Sequence, residues 1–376
     1  MRFLCGLAVG VAASGLVALI HWRRLAHRTC CLKLTQEIPL LLAGQGKPFR
    51  AFAEGRIDHF ACDAKRKLLF VACLGHDCVL VVDAFTGKVI TMLCDGLSQP
   101  QGVLFVEDTC RLYVANAKDG VVTIFDGHSW KRLGSVDFGD EADNLRYENG
   151  RVYVGYGEGA IGAIIDDVDS SMIGRDTSMD MDMPCGGHPE SFQLEPSGRR
   201  IWVNVADERL VLVLDRTAST ADEATVARWP LPDGMSANFP MHADEASRLL
   251  FVGVRKPTHR ACVLVLDMDS GECIGRVPVP GDMDDLCFDA LRSRLYVVSG
   301  TGCVSVLGRA PHGGRGSFEV IDTVPTVVGA RTGVFYAERD SLYVAAPSVE
   351  GLPSRLLVFS RAKAMQVKDN ERMKVK

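Results

Sequence analysis

The sequence predicts an all-β protein, a seven-bladed β-propeller of four-stranded antiparallel blades preceded by one N-terminal hydrophobic helix. Three observations carry this prediction. A strand phrase centred on an aromatic residue returns seven times, at Phe70, Tyr113, Tyr153, Trp202, Phe251, Tyr296 and Tyr343, at intervals of 40 to 49 residues. That period fits a four-stranded blade and not a pair of helices. Within each unit, short runs of Val, Leu, Ile and aromatics alternate with Gly, Asp, Asn or Ser turns, and helical periodicity is absent after the first segment. One such unit cannot bury both of its faces, so neighbours must stack around a closed ring.

Residues 1–29 come first and stand apart. Phe3 to Ile20 carries no charge, and as a helix it would measure about 27 Å, close to the hydrocarbon thickness of a bilayer. Trp22, Arg23 and Arg24 follow as an interfacial anchor with a positive stop. A cleaved signal peptide is the alternative, because Val11-Ala12-Ala13 has the small side chains of a cleavage site. The apolar run continues past Ala13, which favours an uncleaved anchor through residues 3–20. Arg23, Arg24, Arg28 and Lys33 follow the span and only Arg2 precedes it. The positive-inside rule then gives a single-pass membrane protein with its main domain on the cytoplasmic side. The alternative is export by the cleaved peptide. Cys30-Cys31, just past the span, is either acylated or a pair of plain thiols.

The propeller occupies residues 30–360. "LKLTQEIPLLL" (residues 32–42) is a lone strand ahead of the first unit, while the last unit ends at "RLLVFS", one strand short. The early strand therefore supplies the outer strand of the seventh blade and joins the two ends of the domain. The turns "DAFTGKV" and "DMDSGEC" carry the Gly that a positive φ requires. Thirteen cysteines, an odd number scattered through apolar strands, read as buried thiols and not as a disulfide framework. Cys73 and Cys78 flank one hairpin turn and are the pair that geometry could bridge. Residues 361–376 form a basic tail, solvated or in weak contact with anionic lipid.

"RLYVANAKDGVVTIFD" and "LLFVACLGHDCVLVVDAFTGKVI" resemble the YVTN-type, YncE-like β-propeller repeat, whose pattern is "LYVAN…V.VID..TGKV". The resemblance spans about residues 32 to 360. It implies a propeller of the kind that serves as a periplasmic, surface or redox-enzyme-associated module. The chain departs from the pattern in blades five to seven, where the turn between second and third strands lengthens ("RKPTHRA", "APSVEGLPSR").

About a dozen residues before each aromatic a second repeat begins. It marks the start of the innermost strand, which lines the central channel. Its first position reads Asp58, Gln101, Asp143, Glu190, Pro240, Asp284 and Arg331, and its next His59, Gly102, Asn144, Ser191, Met241, Asp285 and Thr332. Four carboxylates and one Arg thus converge from different blades on one mouth. Like charges so placed raise one another's pKa unless a cation offsets them. A divalent metal, a cationic ligand or bound water is the fitting occupant, and oxygen donors suit calcium or magnesium. The other reading is a wet channel mouth whose polar ring only solvates strand ends. His188 and His242 precede or enter inner strands and either join the site or are hydrogen-bonded loop and core histidines. Whether Met241 or His242 faces inward depends on the register of blade five.

Several functions are excluded or unsupported. A net charge of −5, with no basic stripe ahead of the tail, argues against nucleic acid. "GEGAIG" (157–162) matches GxGxxG, but a strand follows it where a dinucleotide site needs a helix. The acidic, Met-rich loop "SMDMDMP" (178–184) reads as a solvated blade connection, with contact to a metal as the alternative. No CxxC, HExxH or GxSxG occurs. What remains is a membrane-tethered module that binds a small molecule or a protein partner at the channel mouth. The alternative is a metal-dependent hydrolase or lyase of the calcium-lactonase kind, with Asn144, Glu190 and Asp285 as the tentative metal ligands by fold-level analogy.

Overall fold

The computed structural model describes residues 31–40, 56–166, 174–176, 182–196, 198–232, 234–349 and 352–361. The expected anchor, Cys30, residues 362–376 of the expected tail and most of the 178–184 loop lie outside these residues, while Arg361 ends a strand. Among those described, no helix is long and apolar enough to cross a membrane.

Seven antiparallel sheets follow one another along the chain, each running from an innermost to an outermost strand in sequence order. The innermost strands are Phe60–Asp63, Pro100–Val106, Ala142–Glu148, Pro189–Leu194, Ser236–Asp244, Met283–Asp289 and Gly333–Tyr336. The last sheet is completed from the other end of the chain. Leu32–Pro39 pairs antiparallel with Arg355–Arg361, with Leu32 opposite Arg361 and Pro39 opposite Arg355. Leu40 then hydrogen-bonds through its amide to the Ser354 carbonyl (3.0 Å). Residues 41–42 of the 32–42 segment lie outside the described residues.

The repeat aromatics explain why the ring holds. All seven lie in the second strand of their blade and are at most 5% exposed. Each packs in the apolar cluster shared with the following blade: Phe70 against Val103 and Leu112, Trp202 against Leu250 and Val252, Tyr343 against Leu69 and Val71. Their sequence neighbours point the other way, as a period of two demands. The described core is therefore seven inter-blade layers and has no single centre.

Three expectations need correction. Blade three is not simply four-stranded, because its outer edge is made of two short pieces, Gly174–Arg175 and Met183–Pro184, both paired with Ala160–Ile165. Blade six keeps a short turn between Ser299 and Cys303, so only blades five and seven lengthen there. In blade five, His242 pairs opposite Phe251, just as Gln193 pairs opposite Trp202 and Arg146 opposite Tyr153. The first mouth position of that blade is therefore Phe239, not Pro240. Met241, 4% exposed, turns into the core.

Cys73 and Cys78 do face each other across the first blade's hairpin, and both are thiols. In "GEGAIG" residues 157–159 form the turn after Arg151–Tyr156, and residues 160–162 begin the strand Ala160–Ile165 where a dinucleotide site would need a helix.

Candidate functional site at the channel mouth

An irregularity recurs where the inner strands begin. In blades two to six the register slips near the first residues of the inner strand, as between Ala142 and Leu145 or between Pro189 and Phe192. A bulge gives one strand an extra residue and re-aims its side chains. Two consecutive residues per blade therefore face the opening, where strict alternation would allow one. Asp143 with Asn144, Glu190 with Ser191, and Asp284 with Asp285 all line the same cavity of ≈ 490 Å³.

His59, Gln101, His188, His242 and Arg331 line it too, whereas Asp58 and Thr332 lie behind the wall. Hydrogen bonds lace neighbouring blades together beneath the rim. The Asn144 amide donates to the Glu190 carbonyl, Gln193 Nε2 to the Met241 carbonyl (3.1 Å), and the Gly333 amide to Asp285 Oδ2 (2.8 Å).

The mouth is not the acidic ring that the sequence suggests. Arg56, Arg146 and Arg255 join Arg331 in its wall, together with Glu141 and Gln193. Each had a signal in the repeat. Arg56 and Glu141 stand two residues before the first mouth position of their blades, where His188 also stands. Arg146, Gln193 and His242 occupy the column opposite the aromatics. Arg255 lies four residues after Phe251, a place held by Gly157 and Gly300 in blades three and six.

Charge is distributed unevenly around the opening. On the side of blades five, six, seven and one, carboxylates are matched by guanidiniums or by His59. Arg255 pairs with Asp284, stacks over the Phe239 ring (4.1 Å) and donates to the Met283 carbonyl (2.6 Å). Arg331 bridges to Asp282 at 3.1 Å and faces Asp284 at 3.7 Å. Arg56 meets buried Asp58 at 3.0 Å. His59 stands between Asp58 (3.6 Å) and Asp285 (3.5 Å). Burial opposes its protonation, but Asp58 and Asp285 outweigh this and lift its pKa to about 9.

The side of blades three and four differs. Among the described residues, Glu141, Asp143 and Glu190 form no ion pair with Lys, Arg or His within 4.0 Å. Burial pushes Asp143 up to about 6, offset in part by His59. Burial likewise pushes Glu190 up to about 7, with His188 pulling the other way and Asp143 adding to the rise. His188 gives its Nδ1 to the Gly157 carbonyl at 2.7 Å. One ligand atom each of Asp143, His188 and Glu190 lies within 4.8 Å of the other two.

The tentative metal set Asn144, Glu190 and Asp285 is not what this wall groups. Asn144 donates to Asp143 Oδ2 (3.0 Å) and to the Glu190 carbonyl, while Asp285 is engaged with His59 and the Gly333 amide. His242, packed at 5.2 Å against the Phe288 ring, is driven down to about 4 by burial and by Arg146, and so is neutral.

No family model matches the chain, and no curated protein matches it. Solved structures do share its fold. A chain of hydrazine synthase from Kuenenia stuttgartiensis superposes with a TM-score of 0.68 at 15% identity, covering 86% of this chain and 99% of that one. A chain from the crystal structure of the mitotic checkpoint complex gives 0.64 at 14% identity, covering 87% and 98%. Identities this low establish a shared propeller architecture and nothing about activity.

Proposed function

We propose that the protein is a membrane-tethered β-propeller of the YVTN type that binds a small polar ligand in its channel mouth. One observation carries the reading: a cavity of ≈ 490 Å³ walled by charged side chains, one of which, Asp143, keeps a buried oxygen without a hydrogen-bond partner. The volume is that of a small-molecule site. An unsatisfied buried carboxylate is costly in a wall that serves only the fold, and it is relieved by a bound donor or cation. The repeat phrases support membership among YVTN-type modules. The uncharged stretch from Phe3 to Ile20, with arginines after it, supports a tether that leaves the propeller on the cytoplasmic side.

The test uses the full chain in detergent, with thermal unfolding recorded against a panel of amines, amino acids, carboxylates and sugars. At a hundred times its Kd, a ligand adds about 2.7 kcal/mol. The reading expects at least one class to raise the midpoint and Glu190→Gln to abolish the rise. No rise with any class rejects a small-molecule site. Tethering is checked separately by alkaline extraction of membranes: the full chain stays with lipid and a chain starting at residue 30 is released.

A hydrolase or lyase acting at the same mouth is the second reading, favoured by the proximity of Asp143, His188 and Glu190. Turnover of a lactone panel that disappears in Glu190→Gln would establish it.

A further inference from the structure

We infer that Asp143, His188 and Glu190 form a site for a first-row divalent cation, of the zinc or manganese kind, on the blade three–four wall of the mouth. The inference rests on reading the mouth as a binding site and names an occupant for one part of it.

The three donors arrive from two strand starts. His188 stands one residue before blade four's inner strand and Glu190 is that strand's second residue; both line the cavity, while buried Pro189 between them does not. Asp143 reaches the same spot from the bulge of blade three. A ligand atom of each lies within 4.8 Å of the other two. Donors of a tetrahedral site about 2.1 Å from the ion sit roughly 3.4 Å apart, so a cation would draw these three inward by about an ångström.

Two independent features mark the spot as a ligand site and not merely a cluster of acids. Asp143 is 6% exposed, and its Oδ1 has neither a hydrogen bond nor an ion pair, while Asn144 holds Oδ2 at 3.0 Å and sets the carboxylate's orientation. The His188 ring is also held for ligation. A carbonyl only accepts, so the 2.7 Å contact of Nδ1 with Gly157 requires the proton on Nδ1 and leaves the Nε2 lone pair for a ligand. Metal-bound histidines are oriented by such a bond from their other nitrogen.

Elsewhere in the mouth arginines neutralise the acids, but here they do not. One imidazole nitrogen and two carboxylates suit zinc or manganese better than calcium or magnesium, which favour all-oxygen shells. Three protein donors leave a coordination position facing the cavity, where a polar ligand would complete the shell.

The experiment uses the full chain, purified without a histidine tag, stripped with a chelator and titrated calorimetrically with Mn²⁺ and with Zn²⁺. The expected result is one equivalent bound, with affinity falling at least about 100-fold in Asp143→Asn and in His188→Ala, and unchanged in Glu195→Gln. Pulsed electron paramagnetic resonance of the Mn²⁺-loaded wild-type chain should show coupling to one nitrogen, a readout that needs no variant to fold. Absence of stoichiometric binding, absence of nitrogen coupling, or full affinity in both variants overturns the inference. Zn²⁺ held by exposed Cys94 or Cys273 would survive in both variants and so counts against it. A ligand that stabilises the stripped chain would leave the binding role of the mouth standing without the metal.

Discussion

Gly102 shows how tightly the mouth is built at the level of single residues. A Cβ added there would lie 1.8 Å from the Asp143 carbonyl oxygen, a backbone atom that cannot swing aside. Gly102→Ala should therefore cost about 2 kcal/mol or more, seen as a lower urea midpoint, and should weaken any ligand bound through Asp143. Glu195 illustrates a structural charge away from the mouth. Arg200 grips it through two bonds (2.6 and 3.0 Å) and Arg248 adds a third (3.1 Å), which against burial holds its carboxyl at about 2. A depressed folded pKa means stability that is present above the unfolded value of about 4.3 and lost as pH falls toward 2. Glu195→Gln should destabilise by about 2 kcal/mol at pH 7. The gap between variant and wild-type melting should narrow as pH is lowered from about 5 toward 2. A gap that stays constant would mean that packing, not charge, holds this site.

Turns and aromatics share the work at the level of the strand and hairpin. The hairpin closing on Gly87 uses Asp83 Oδ1 to accept from the amides of Phe85 (2.9 Å) and Thr86 (2.7 Å). Asp267 repeats this with Asp269 (3.0 Å) and Ser270 (2.8 Å) before Gly271. Both glycines have a φ of 74°. Such a bond stabilises one local turn, so Asp83→Ala should cost only about 1 kcal/mol. Trp202, fully buried between blades four and five, should cost about 3–5 kcal/mol when cut to Ala, because the layer around it cannot collapse into the void. Chemical denaturation of the two variants side by side decides whether turns or inter-blade layers dominate. Comparable losses would contradict the layered core.

The whole molecule depends on its closure. Leu32, Ile38 and Leu40 are at most 2% exposed, and they fill the layers that join blade seven to blades six and one. The seam is further tied by Tyr343, whose hydroxyl donates to the Ala84 carbonyl at 2.6 Å. Removing residues 1–40 would expose the edge of Arg355–Arg361 and lose roughly 5 kcal/mol of apolar burial, whereas removing residues 1–29 would leave the ring intact. The shorter truncation should melt cooperatively like the full chain. The longer one should melt at least several degrees lower and aggregate through its open strand. Equal midpoints would show that the closing strand is dispensable.

The sequence alone determined the blade count, the column of aromatics and the strand that closes the ring. Each is a local pattern repeated at a fixed period, and a repeat is legible wherever the same packing problem recurs. It also placed Asp143, His188 and Glu190 near the mouth, because a residue's offset from Tyr153 or Trp202 sets its height along the channel. Only the tertiary structure decided what those residues meet. The bulges near the inner-strand starts break the period of two, so a counted register could not say that Asp143 and Asn144 both face the opening, or that Phe239 stands where Pro240 was expected. Arg255 enters from a second strand, in a column whose counterparts in blades three and six are glycines. Charge balance at the mouth depends on how far such long side chains reach across the channel, and reach is a property of three-dimensional distance that no spacing along the chain encodes.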